Sequence, residues 1–182
     1  MKTIVYNTII LAVIFLTFHG KCYSQNDYRT SNGYVLATGF YIDSTFIAES
    51  HELAIKYDPS DKTIYGNINL QSFKSGLYLI DSLLTSESMP LTMKGYIPVD
   101  FLTWNHSEYN FDIPLEIEYN QIKIITLAKM KFSHIDRLLN YTYVMEASFK
   151  LKLSDFDIII PEQVGQEINV QFFQLILRRA GR

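Results

Sequence analysis

The chain of 182 residues holds a single cysteine, Cys22, so no disulfide framework and no cysteine-built metal cluster can form within it. Glycine and proline are sparse, at 8 and 5, which excludes collagen-like and low-complexity architectures. Charge of one sign is also missing: the net charge is -3 and the basic residues are scattered, leaving no electrostatic footprint for nucleic acid. No internal repeat or linker composition divides the chain. The histidines His19, His51, His106 and His134 lie far apart in sequence, whereas a catalytic or metal site gathers such groups in one region. Long apolar runs are lacking too, apart from Ile9 to Phe18, and ten residues are too few to cross a bilayer of about 30 Å as a helix.

That short run is instead read as part of an export signal, residues 1–24. Lys2 supplies the positive start, Ile9 to Phe18 the apolar centre, and Cys22-Tyr23-Ser24 the small residues before a cleavage site. Cleavage after Ser24 leaves Gln25 as the first mature residue and removes the only thiol. An uncleaved anchor is the rival reading, opposed by the shortness of the run. Acylation at Cys22 is opposed by Lys21, where lipoprotein processing needs a small residue. About 158 residues then remain, enough for one domain with a sizeable core in the periplasm or outside the cell.

What is present in quantity is aromatic and alternating. The chain has 13 Tyr and 12 Phe, which suit a sheet protein with a wide interior. From Tyr141 to Leu153 every odd position is apolar, and the period of two marks a strand with one buried face. At about 3.4 Å per residue it would run for roughly 44 Å, far beyond the usual strand. Seven further strand-like segments are read at Tyr34–Ile42, Glu52–Tyr57, Thr63–Leu70, Leu91–Ile97, Phe111–Asn120, Ile122–Phe132 and Ile168–Leu177. Asp58-Pro59-Ser60-Asp61 and Asn120-Gln121 read as turns. Pro114 places its strand at an edge or a bulge. The adjacent pairs Ile124-Ile125 and Phe172-Phe173 each demand a slip of the inward phase.

Between Ser75 and Ser88 the spacing changes to three and four, through Leu77, Ile80, Leu83 and Leu84, and predicts a short capping helix. Residues 25–33 are polar and aperiodic and read as a flexible leader, and Phe101 to Tyr109 reads as a loop holding Trp104. The fold class is therefore all-β: an antiparallel, lipocalin-like barrel of about eight strands with one helix, spanning residues 34–182.

Such a barrel is either filled by side chains or holds one small ligand. The candidate ligand-facing set is the inward apolar series Ile68, Leu70, Met93, Phe111, Ile113, Leu115, Ile117, Tyr143, Met145, Phe149 and Leu151. Gly66, Gly95 and Ala147 are slender positions that could leave space among them. No catalytic residues, metal ligands or cofactor site are assigned. His106 and Glu108 are two possible ligands in one loop, a solvated loop being the plainer reading. Ser154, Asp155 and Asp157 read as chain-turning residues. Glu116 and Glu118 share an outer strand face, with Lys150 and Lys152 expected beside them as ion-pair partners. Asn105-His106-Ser107 and Asn140-Tyr141-Thr142 are chance matches to the glycosylation pattern.

The run Phe149-Lys150-Leu151-Lys152-Leu153-Ser154-Asp155-Phe156-Asp157-Ile158, followed by Pro161 and the Glu167 to Leu177 strand, resembles the YceI-like, polyisoprenoid-binding family of exported bacterial proteins. In that family a long strand ends in a similar Ser-Asp-Phe-Gly segment, with Gly where this chain has Asp157. A second similarity spans Ser75-Gly76, Asp81, Leu83 to Ser86 and Pro90, before the strand carrying Gly95. The resemblance covers roughly Tyr34 to Arg178. It implies a non-catalytic barrel that sequesters a long isoprenoid or similar amphiphile. The alternative is an envelope scaffold or partner-binding module with a filled core.

Overall fold

A computed structural model describes residues 27–86, 90–98, 108–134 and 142–179. The export signal with Cys22, the segment holding Trp104 and His106, and residues 135–141 lie outside the described residues.

Eight strands form one closed barrel in which each pairs with its sequence neighbours and the last returns to the first. They are β1 (Tyr28–Tyr41), β2 (Ser44–Asp58), β3 (Thr63–Asn69), β4 (Pro90–Tyr96), β5 (Tyr109–Tyr119), β6 (Ile122–His134), β7 (Thr142–Lys152) and β8 (Glu167–Arg179). Among the described residues, one helix, α1 (Tyr78–Ser86), and two single 3-10 turns, Leu70–Ser72 and Leu153–Phe156, interrupt the meander. The expected all-β antiparallel barrel with one short helix is therefore the observed fold.

Alternation places the core. On β7 the odd residues Tyr143, Met145, Ala147, Phe149 and Leu151 are buried, and the same period runs through Ile113, Leu115, Ile117 and Tyr119 on β5. Two expectations need correction. The leader of residues 25–33 overlaps β1, which is already paired with β2 and β8 at Tyr28. The slip at Ile124-Ile125 does not occur: β5 and β6 stay in continuous register from Tyr109↔Phe132 to Tyr119↔Ile122. Ile125 simply points outward, 74% exposed, and an apolar residue facing water needs no bulge to explain it. Pro114 meets the expectation of an edge and not of a bulge: it pairs with Leu127 in that same register and has no ladder partner on the β4 side. The β4–β5 ladder ends at Gly95↔Leu115, one residue short of Pro114, where a missing donor forfeits no bond to β4.

The second slip is real. Ala147 pairs with Phe172 and Met145 with Leu175, so β8 carries two residues, Phe173 and Gln174, opposite Glu146. Gln174 adopts a φ of 45°, and the bulge lets Phe172 and Leu175 both point inward. A paired irregularity on β1 centres on Gly33, where an added Cβ would lie 2.9 Å from the carbonyl oxygen of Leu53. Glycine is what permits that backbone approach.

Because the strands run up and down, the connections sort to two ends of the barrel. One end carries the β1–β2 turn, the 3-10 turn and α1 between β3 and β4, the Asn120-Gln121 turn, and the β7–β8 connection. This is the helix end. The other carries the β2–β3 turn and receives Tyr28 and Arg179, the outer ends of β1 and β8; it is the terminal end. Asn120 and Gln121 both have positive φ, at 49° and 67°, as a two-residue type I′ hairpin turn requires.

Candidate functional site

Whether the barrel can hold a ligand depends on how its inward residues divide along the axis. Toward the terminal end they meet one another. Tyr28 packs edge-on against Tyr143 at 5.2 Å between ring centroids and lies 6.5 Å from Tyr57. Phe111 and Phe132 stack at 5.8 Å, and Leu53, Ile97, Ile113, Leu175 and Leu177 are fully buried around them.

Toward the helix end the walls separate and enclose a cavity of about 450 Å³. Its barrel wall comes from Val35 and Ala37 of β1, Phe46 and Ala48 of β2, Met93 of β4, Phe149 and Leu151 of β7, and Phe172 of β8. Its roof comes from α1, through Ile80, Leu83 and Leu84, and from the β7–β8 connection, through Phe156, Ile158 and Ile159. Ile159 is 93% exposed and marks the mouth. The size falls within the range of roughly 300–1,000 Å³ common to small-molecule sites, and the lining is overwhelmingly apolar.

Local chemistry holds the roof in place. The Ser75 backbone N–H donates to Asp81 Oδ1 at 2.7 Å and the Ser75 hydroxyl donates to the same oxygen at 2.8 Å, tying the entry segment to α1. That backbone N–H, assisted by the Ser75 hydroxyl, keeps the Asp81 carboxyl below its ordinary pKa. On the other side of the mouth the 3-10 turn ends at Asp157, whose φ of 56° and ψ of 23° are left-handed. This is the position where the resembled family has Gly, and Asp is among the few residues that tolerate that conformation. Asp157 and Asn120 are the polar side chains among the described lining residues, apart from the Tyr119 phenol, and both are exposed at the mouth.

Of the candidate ligand-facing residues, Ile68, Leu70, Met93, Phe149 and Leu151 line this cavity. Phe111, Ile113, Leu115, Ile117, Tyr143 and Met145 do not; they belong to the packed interior. Nor do the two glycines among the slender positions open space. A Cβ at Gly66 would meet Ile55 Cδ1 at 2.8 Å, and one at Gly95 would meet Ile113 Cδ1 at 2.8 Å, so neighbouring side chains already fill both places. Sequence reading missed the walls from β1, β2 and β8. Their inward period was visible at Val35 and Ala37 and again at Ile168 and Val170.

A larger depression, about 1040 Å³, crosses the outside of the barrel over β1 to β5 and β8. It is bordered by Lys56, Glu116 and Glu118, which are engaged in surface ion pairs. Lys123 bridges Glu116 at 2.9 Å and Glu118 at 3.4 Å, taking the role expected of Lys150 and Lys152; Lys150 reaches Glu167 instead, at 3.8 Å. Lys123 lowers the Glu116 pKa, and its own is raised in turn. His51 stacks on Tyr34 at 4.6 Å, and no group of three or more metal-capable side chains forms among the described residues.

No family model and no curated protein matches the chain. A solved structure does match it: a polyisoprenoid-binding domain from Saccharophagus degradans, described as implicated in plant cell wall breakdown. The TM-score is 0.67 and the identity 9%, over 85% of this chain and 99% of that one. The barrel architecture suggested by the Phe149 to Ile158 segment is thus also the fold of a solved polyisoprenoid-binding domain.

Proposed function

We propose that this protein is a lipid-binding carrier that takes an isoprenoid or similar amphiphile into the helix end of its barrel and performs no chemistry on it. The observation that carries this reading is the cavity of about 450 Å³ between α1 and the strand walls, lined by apolar side chains and open at Ile159. Each buried methylene of a ligand gains about 0.8 kcal/mol, so an apolar chain needs no specific polar partner to be held there. The likeness in fold to a polyisoprenoid-binding domain supports the same ligand class. Export to the periplasm or beyond is part of the proposal and is supported by Lys2, the Ile9 to Phe18 run and Cys22-Tyr23-Ser24.

Native mass spectrometry of the purified mature chain, followed by organic extraction, tests the proposal. Co-purification of an amphiphile, or reloading of extracted protein from an isoprenoid alcohol, is expected. A protein that carries nothing and takes up nothing would refute it. Edman sequencing of exported protein beginning at Gln25 checks the address.

A further inference from the structure

We infer that the cavity selects a neutral amphiphile with one apolar chain whose length is capped by the closed terminal half of the barrel. This deepens the lipid-binding reading and rests on it. Two observations carry it.

The first is depth. A long polyisoprenoid needs a tunnel through the barrel, and here the terminal half is closed. Below the level of Met93 and Phe172 the interior passes into Leu53, Met145 and Leu175, all fully buried. The glycines that would widen it are filled by Ile55 and Ile113. Side chains packed in this way leave no channel for a chain to continue.

The second is charge at the mouth. Among the described lining residues there is no Lys, Arg or His, and the single ionisable carboxyl is Asp157. A phosphate or carboxylate head would therefore find no cation among the described lining residues and would face the Asp157 carboxyl. A hydroxyl head finds Asp157 and Asn120 as hydrogen-bonding partners.

The test uses the mature chain, stripped of lipid, titrated with straight-chain alcohols and the matching carboxylic acids from about eight to about twenty-four carbons, with competition against a fluorescent alkyl probe. Affinity for the alcohols is expected to rise about fourfold per carbon and to level off before about twenty carbons. The acids, ionised at pH 8, are expected to bind at least about threefold more weakly at equal length, and Asp157→Asn to narrow that gap. Asn accepts the left-handed conformation of this position, so the variant keeps the turn. Affinity that keeps climbing past about twenty carbons would overturn the depth limit, and acids binding as tightly as alcohols would overturn the head-group preference. Failure to bind any chain at any length would instead remove the lipid-binding reading beneath both.

Discussion

The two halves of the barrel interior are built from the same kinds of side chain and reach opposite states. In the terminal half, Tyr28, Tyr57, Phe132, Tyr143 and Leu177 converge and close the interior. In the helix half, Ala37, Ala48, Phe149 and Phe172 stand around a space that α1 and the β7–β8 connection roof over. Hydrophobicity does not separate them, since both are lined by Ile, Leu and Phe. What differs is side-chain size at the walls: large rings meet one another in the terminal half, and the small residues Ala37 and Ala48 of β1 and β2 line the helix half. One half supplies stability and the other keeps room.

The sharpest test of that division is paired truncation. Phe132→Ala in the closed half is expected to cost about 4 kcal/mol, because transfer and cavity terms are both lost in full. Phe149→Ala, at the cavity wall, is expected to cost about half as much, since part of that ring already faces open space. Urea denaturation of both variants gives the ratio, and equal losses would break the comparison.

Filling should invert the order. Ala48→Phe places a ring in the cavity and is expected to weaken lipid binding at least tenfold, which corresponds to about 1.4 kcal/mol, with little loss of stability. Ala128→Phe, buried opposite Ile113, is expected to destabilise by about 1–3 kcal/mol through overpacking. Isothermal titration and thermal melts separate the two outcomes.

A smaller effect concerns the roof. The Asp81 carboxylate has a folded-state pKa below its unfolded value near about 3.9, so its contribution is complete above that value and is lost as pH falls through the folded pKa. The protection of α1 amides against hydrogen exchange, taken relative to the intrinsic rate at each pH, is expected to fall below about pH 4 while the terminal half stays protected. Asp81→Ala should produce the same local opening at neutral pH, at a cost of about 1 kcal/mol. Smallest of all is the outer face: Lys123→Ala removes both of its ion pairs, yet the melting temperature and lipid affinity should both stay at parent values.

Much of this architecture is legible in the residues. Alternation from Tyr143 to Leu151 and from Ile113 to Tyr119 marks strand faces, Asn120-Gln121 marks its turn, and the spacing of Ile80, Leu83 and Leu84 marks the helix. The misread places have physical causes. Ile125 and Leu127 are apolar yet point into solvent, at 74% and 60% exposure, so a period count that assumes burial invents a bulge there. Residues 28–33 are mostly polar and aperiodic, and what places them in β1 is pairing with distant strands, to β2 and β8 at Tyr28 and Arg29, which no local pattern reveals. The division of the ligand-facing set has a deeper cause. Alternation tells which side of a strand faces inward, but the level of a residue along the barrel axis is set by register with strands far away in sequence. Met145 and Phe149 look alike on β7, and four residues decide that one is packed and the other lines the cavity.

The pairing of β1 with β8 has a consequence for how the molecule is made. Tyr28↔Arg179 and Thr38↔Asn169 join the first strand to the last, so the barrel closes only when the residues of β8 reach β1. Until they arrive β1 keeps one open edge, the state in which a β protein most readily pairs with a neighbour. Closure of so distant a contact is slow, and refolding on the scale of milliseconds to seconds is expected in stopped-flow circular dichroism. The β1 and β8 walls of the helix-end cavity are brought together only by that step.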